Sequence, residues 1–453
     1  MRLKILPSIL SILFSFSVIF FSGCDRMIDP LRIIDSVGRE DLLIGETIKV
    51  GILLQPREHF ESFTKGARLA AAEINSNGGI LGAKVELIEK NTVYIVDDLF
   101  LPATNMMPSV VNSEYFDQVV NLDPDSSKNT DPVQVAKDLF EKAGVVAILD
   151  PIYPIGYDID IVELAPALRL SPLMQTTAHP SYYSPNDLVF PVADSNTLQG
   201  ELLADFAVKV LHAKRAAVVY EVGDRYSEGL VWAAMAEFSN QGGAYVGDTA
   251  YYPGHTNFAT PLSRINMTNP DVIIVSGFGE KTALFMQAAR NFGIEIPILG
   301  GNATGTPGLF DILKDKENTY YVTNFIEEWA FAAAYASAYT SMFGNRPDGT
   351  AAAGYDALYL LKAAIETARS TDSVDMREAL YNLTNFRAAT WIYHYNLFRH
   401  PVKSAGIVDV LGKYRPFYAM IEPSSVDFRH SRAHWIVRII EQDWWPELEP
   451  LSE

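Results

Sequence analysis

Few of the chemically active side chains in this sequence are spaced for catalysis. There is one cysteine, Cys24, which excludes an internal disulfide framework, a paired-cysteine zinc site and an iron–sulfur cluster. His430 and His434 stand four apart and could share a helical face. A two-histidine metal site needs further ligands, and none is evident in the sequence, so no metal is expected. The run Ser276-Gly277-Phe278-Gly279-Glu280-Lys281-Thr282 has the outline of a phosphate loop, but Glu280 separates Gly279 from Lys281-Thr282 and breaks the order that cradles phosphate. The glycine pairs at 78–79, 242–243 and 300–301 miss the spacing of a dinucleotide loop, and neither a GxSxG elbow nor an HExxH pair occurs. Carboxylate-pair hydrolysis stays open at the level of spacing, because the fold assembles such pairs. Residues 91–130 set Asp97, Asp98, Glu114, Asp117, Asp123 and Asp125 against Lys128 alone. Carboxylates this scattered make a poor calcium site. The stretch reads as a surface excursion with a small tuck around Phe100, Met106, Met107, Tyr115 and Phe116, or as a lid or partner surface. The residue types favour binding over bond-making: no catalytic residue and no cofactor is expected, and the chain is not read as an enzyme.

Composition narrows the classes further. The chain has 453 residues, too many for one compact core, and 48% are hydrophobic, which fits a folded protein of two or three domains. A formal charge of −19 argues against nucleic acid as a partner, since phosphate binding needs clustered Lys and Arg.

Residues 1–23 have the layout of a secretory signal: Arg2 and Lys4, an uncharged apolar run over 5–21, then small residues. The run is marginal for a membrane span, which needs about 20 residues. Phe21-Ser22-Gly23-Cys24 resembles a bacterial lipobox, with Phe21 where Leu is usual. That resemblance implies a lipid on Cys24, which would become the mature N-terminus and leave no thiol for catalysis. An uncleaved anchor helix is the alternative. Residues 24–46 show no steady period and are read as a tether.

From residue 47 the pattern alternates strand and helix. The β-branched run 48–54 suits a buried parallel strand. Phe63, Ala67, Ala70, Ala71 and Ile74 repeat at helical spacing, and Asn77-Gly78-Gly79 stops that helix. Strand 85–88 follows. Asp131-Pro132 opens a helix with a cap and a first-turn proline, and a strand lies at 145–149. The rhythm continues with helices at 196–211, 227–240, 257–266 and 280–292, and with strands at 216–220, 244–250, 271–276 and 296–299. Helices near 326–343, 352–369 and 374–384 precede strand-like pieces near 391–398, 405–411 and 416–421. This alternation implies an α/β fold of parallel sheets with helices on both faces. In such sheets ligands sit beyond the carboxyl ends of the strands, near helix N-termini whose free N–H groups suit a carboxylate. The candidate loops are 55–59, 150–156, 175–179, 221–226, 277–280 and 300–304.

Ordered stretches between 47 and 400 carry a family resemblance. Among them are IKVGILLQP (48–56), GARLAAAEINSNGGILGAKVELIEKN (66–91), DPVQVAKDLFEKAGVVAILDP (131–151), AKRAAVVYEVGDRYSEGL (213–230) and AAAGYDALYLLKAAIETA (351–368). Together they resemble the type I periplasmic solute-binding proteins, in particular the leucine-binding-protein-like receptors of branched-chain amino acid ABC transporters. The resemblance implies two Rossmann-like lobes joined by a three-strand hinge and closing over a ligand in the cleft. Lobe 1 would take 47–191 and 325–388, with 91–130 as an insertion. Lobe 2 would take 192–324 and 389–429, and 430–453 would be a C-terminal extension. The crossovers fall near 190–194, 322–325 and 387–391.

Carried over position by position, the resemblance places ligand contacts at Asp150 and Tyr153 in the loop where the family often has Ser. It matches the family's Ser-Ala-Thr loop with Thr176-Thr177-Ala178. It puts family aromatics at Tyr226 and Phe278. The acid that holds an amino group falls near Asn302, which is uncharged, so Asp150 or Glu221 would have to supply that carboxylate if the ligand carries an ammonium. The implied protein is an extracytoplasmic lipoprotein, periplasmic in a Gram-negative cell and held on the membrane through Cys24. It is expected to be a monomer that captures an amino acid, amide or small carboxylate for an ABC permease. A sensor of the same fold feeding a signalling partner, or a scaffold whose cleft binds nothing, are the alternatives.

Overall fold

The computed structural model describes residues 46–54, 58–91, 132–150, 173–175, 188–222, 224–252, 256–277, 279–305, 307–314, 317–327, 329, 331–395, 401–403, 405–409, 417–423 and 435–440. Cys24, the 24–46 tether up to Gly45, nearly all of the 91–130 insertion, Tyr153, Thr176, Thr177, Ala178, Phe278, His430 and His434 lie outside the described residues.

The first sheet is built on β1 (Thr47–Leu54), whose Val50 and Ile52 are fully buried. It pairs in parallel with β2 (Lys84–Asn91) on one side and β3 (Ala147–Asp150) on the other, and β4 (Leu173–Gln175) and β5 (Val189–Pro191) extend the sheet in the order β2-β1-β3-β4-β5. Helices cover both faces, as the continuous apolar strands require. On one face lies α1 (Glu58–Ser76), with Phe63, Ala67, Ala70 and Ile74 buried at helical spacing. On the other lie α2 (Pro132–Asp138) and a π-turn over Leu139–Ala143, where Val135, Ala136 and Leu139 meet Leu53 and Ile148. The α1 helix ends at Asn77-Gly78-Gly79 as the sequence predicts, both glycines having positive φ.

The second sheet repeats the arrangement. Its parallel part comprises β6 (Arg215–Glu221), β7 (Ala244–Tyr251), β8 (Val272–Val275), β9 (Ile298–Gly300) and β10 (Thr319–Thr323), ordered β7-β6-β8-β9-β10. Each sheet therefore reverses its strand order beside its first strand, between β1 and β3 and between β6 and β8. The period-2 alternation of a strand buried on both faces is visible in β6. Ala216 and Val218 face a cluster with Leu202, Phe206 and Phe238, while Ala217 and Val219 face Phe258, Leu262 and Phe285. The packing helices are α3 (Asn196–Lys209), α4 (Arg225–Asn240), α5 (Ala259–Met267) and α6 (Gly279–Asn291). Short α7 (Pro307–Ile312) follows.

The chain then returns to the first core. Phe325 and Trp329 are buried there, along with α8 (Ala333–Phe343), α9 (Gly349–Ala368) and α10 (Ser373–Tyr381). A three-stranded antiparallel sheet follows, formed by β11 (Thr384–Arg387), β12 (Trp391–Tyr395) and β13 (Pro401–Lys403). Ala389, Ile392 and Tyr395 still belong to the first core, whereas Ala405 and Ile407 of β14 (Ala405–Asp409) join the second. The third passage between cores thus falls at 403–405 and not at the expected 387–391, because this hairpin intervenes. Antiparallel β14, β15 (Phe417–Pro423) and β16 (Trp435–Ile440) complete the second sheet. Residues 435–440, set aside in the sequence as part of an extension, are its edge strand. A β/α rhythm does not register an added antiparallel edge.

Where the chain passes between cores, charge is buried. Lys403 is fully buried, and its Nζ donates to the Val192 carbonyl at 2.7 Å. Two buried carboxylates share its field, Asp194 and Asp356. Among the described residues, nothing donates a hydrogen bond to either carboxylate oxygen of Asp194. Burial raises its pKa from 3.8 to about 7, with Lys403 opposing. The folded protein therefore holds this proton more tightly than the unfolded chain. The resulting stability is complete below about pH 4 and is lost as pH rises through about 7. Replacing Asp194 with Asn is expected to flatten the fall in melting temperature over that interval; an unchanged slope would show that other groups cause it.

Candidate functional site

The carboxyl edge of the second sheet gathers the described site residues. There β6 ends at Glu221, β8 runs into Ser276 and Gly277, and β9 turns at Gly300 into a 3-10 turn over Asn302–Thr304. Asp224 caps α4, accepting from the Tyr226 and Ser227 N–H groups at 3.2 Å each. Such a cap forms where an acidic side chain precedes the first free N–H groups of a helix. Desolvation and the neighbouring Glu221 together raise the Asp224 pKa to about 7 against the opposing capping bonds.

The cap fixes Tyr226 in the first turn of α4, with its ring 2% exposed. Its hydroxyl lies 3.2 Å from Gln199 Oε1 and 3.1 Å from Asn302 Oδ1, and accepts from the Ala303 N–H at 3.3 Å. Gln199 Oε1 also accepts from the Asn302 backbone N–H at 3.0 Å, while its Nε2 donates to the Asp194 carbonyl at 3.3 Å. Asn196 Nδ2 donates to the Tyr226 carbonyl at 3.4 Å. Gly301 permits this closeness: a Cβ there would stand 2.2 Å from the Tyr226 hydroxyl oxygen. One polar chain thus runs from the first passage between cores, at Asp194, to the half-buried Asn302. Burial pushes the Tyr226 hydroxyl pKa well up, so it is a neutral donor.

The structure brings Tyr226 and Asn302 together although 76 residues separate them. The Tyr226 hydroxyl touches both Asn302 and Ala303 in the turn after β9. Glu221, a candidate for an ammonium partner, is buried and already paired with Lys281 at 3.0 Å. Asp150 closes β3, opposite Gln175 of β4 at the carboxyl edge of the first sheet. Gln199 was missed in the sequence. Its signal was a polar pair, Asn196 and Gln199, on the buried side of a helix whose other inward residues include Leu198, Leu202, Leu203 and Phe206. Among the described residues no group of three or more His, Cys, Asp or Glu could hold a metal, and no helix is long and apolar enough to cross a membrane. Tyr226→Phe is expected to cost about 1–3 kcal/mol in urea unfolding, the desolvation penalty of partners left without the hydroxyl. A cost near zero would mean the network contributes nothing to stability.

Comparison with known proteins shows the family and the fold. A family model described as periplasmic binding protein matches residues 118–403. The Leu/Ile/Val-binding protein homolog 3 of Brucella melitensis is 25% identical over 209 residues, which cover 43% of this chain and 53% of that protein. The alignment thus spans about half the length of this relative. Among solved structures, the branched-chain amino acid transporter substrate-binding protein LivJ of Streptococcus pneumoniae, in complex with isoleucine, superposes with a TM-score of 0.66 at 21% identity. That match covers 80% of this chain and 96% of LivJ. A solute-binding protein of an ABC transporter from R. palustris, in complex with benzoate, gives a TM-score of 0.61 at 17% identity, covering 82% and 95%. At these identities the superpositions establish a shared fold.

Proposed function

Because the chain belongs to the periplasmic binding protein family, we propose that it captures a small polar solute outside the cytoplasm and delivers it to an ABC permease. The observation that carries this reading is the polar chain from Asp194 through Gln199 and Tyr226 to Asn302, at the sheet edge where open α/β folds take ligands. The solved neighbours hold isoleucine in one case and benzoate in another, so the class proposed is an amino acid, amide or small carboxylate. The two cores act as lobes. Solute settles between the carboxyl edges of both sheets, the passages near 192–195, 324 and 403–405 flex, and the closed form is favoured to the extent that the solute prefers it. Asp150, Tyr153, Thr176, Thr177 and Ala178 would contribute from the first lobe, and Asn302 and Phe278 from the second. No bond is made or broken. Cys24 would carry the lipid that keeps the protein at the membrane.

A thermal-shift screen of amino acids, amides and small organic acids on the full-length protein tests the proposal. A binder is expected to raise the melting temperature in proportion to its excess over Kd, and to be recovered unchanged. A panel without any shift, or a solute consumed during incubation, would contradict it.

A further inference from the structure

Two of the passages between the cores are tied to each other by buried polar groups. Val192 packs in the first core and Leu198 in the second, so Asp194 sits where the chain crosses. Lys403 sits at another crossing, between Tyr395 of the first core and Ala405 of the second. Its Nζ bond to the Val192 carbonyl ties one crossing to the other. The Tyr395 hydroxyl adds a second tie, donating to the Pro191 carbonyl at 3.1 Å. Asp194, Asp356 of α9 and Lys403 are all fully buried. With both carboxyls ionised, two negative charges would face one ammonium away from water, which is costly. One proton makes the group neutral. Asp356 accepts from the Ala389 and Thr390 N–H groups, which suits a charged carboxylate. The described residues donate nothing to the Asp194 carboxyl, so the proton belongs there. Burial raises the pKa of both carboxyls; Lys403 opposes at both, and the Thr390 and Ala389 bonds oppose further at Asp356.

Four other titratable groups lie on the elements around Asp194. Burial pushes the Tyr395 hydroxyl pKa far up, so it stays neutral. Burial lowers the pKa of the neighbouring His394. Burial, with Glu237 and Asp205 adding, raises Glu201 on α3 to about 7, and burial with Glu221 does the same for Asp224 at the start of α4. A lobe movement that parts the two crossings would break the Lys403 tie and admit water to Asp194. In water an aspartic acid gives up its proton near pH 4, so the proton and the sealed crossings favour each other. Resting on the reading of the two cores as moving lobes, we propose that a proton on Asp194 latches the crossings together and that its loss frees the lobes to open. The latch is set in acid and released as pH rises through about 7.

Small-angle X-ray scattering on the solute-free, full-length protein tests this at about pH 5.5 and about pH 8, on either side of the release. Both measurements are made well below the melting temperature, where a change in stability alone does not alter the native radius. The radius of gyration is expected to be larger at the higher pH by about 1 Å, against about 22 Å for a compact chain of this length. Asp194→Asn, which keeps the shape and cannot lose a proton, is expected to hold the smaller radius at both pH values. Asp356→Asn leaves Asp194 paired with Lys403 as an ion and is expected to move the change to lower pH. His394→Gln and Glu201→Gln are expected to keep the change of the parent. A parent radius that does not respond to pH, or a full response in Asp194→Asn, would overturn the proposal. A thermal-shift hit alongside such a flat profile would leave the solute-binding reading standing without the latch.

Discussion

Lys403→Met is expected to lower the unfolding free energy by about 3–5 kcal/mol, the usual cost of removing one partner from a buried charge group. Lys403 is the cation common to two buried carboxylates. Asp356 has its own support, accepting from the Ala389 N–H at 2.7 Å and from the Thr390 N–H and hydroxyl. Asp194 receives none for its carboxylate from the described residues. Without Lys403, Asp194 loses the one favourable charge that the described residues give it, and the Val192 carbonyl loses its donor. These groups come from the segment after β5, from α9 and from β13, so the loss falls where the chain passes between cores. Adding Asp194→Asn to Lys403→Met is expected to recover part of the loss. Urea unfolding of both variants checks this; a single variant within about 1 kcal/mol of the parent would mean that the methionine packs as well as the ion pair.

Gly354→Ala is expected to destabilise by about 3 kcal/mol, the upper range for overpacking a core. In an exposed helix the same change stabilises by about 1 kcal/mol, so the prediction reverses the usual sign. The reason is the contact between α1 and α9. A Cβ on Gly354 would stand 2.0 Å from the Phe63 carbonyl oxygen, and one on Gly66 would stand 1.9 Å from the Ala351 carbonyl oxygen. Both obstacles are backbone and cannot rotate aside. The helices are also tied at their ends. Ser62 donates to Asp348, the cap of α9, at 3.0 Å, and the Tyr355 and Tyr359 hydroxyls donate to Glu73 at 2.6 and 3.0 Å. Separating the helices to admit a methyl group would strain these bonds. Gly66→Ala should behave alike, and a measured loss below about 1 kcal/mol in either variant would show that the helices part easily.

The parallel layers were legible because their residues obey simple periods. The run 48–54 and the 63–67–70–74 spacing led directly to β1 and α1, and Gly78-Gly79 marked where the helix stops. The third passage between cores was not legible, because Trp391–Tyr395 reads as one more strand and nothing local tells which core receives Ile392 and Tyr395. The edge strand Trp435–Ile440 was missed for a related reason, since its place is set by antiparallel pairing with β15, which no local period shows.

At the site, resemblance pointed to Tyr226 and Asn302, but their mutual hydrogen bond is a product of tertiary folding. Gln199 lies among Ser195, Asn196, Thr197 and Glu201, and Lys403 lies between Arg399-His400 and Ser404, where one more polar residue reads as surface. Only the structure shows Gln199 facing Tyr226 and Lys403 facing two carboxylates. The capping role of Asp224 follows a local rule, yet the pairing of Glu221 with Lys281 joins residues 60 apart.

Hydrogen–deuterium exchange on the full-length protein, with and without a saturating amount of the solute that binds best in titration, tests the central claim most directly. The account predicts slowed exchange together at 222–227, 277–282 and 301–305, the three segments that follow β6, β8 and β9. Slowed exchange confined to other parts of the chain, with these three unchanged, would contradict it.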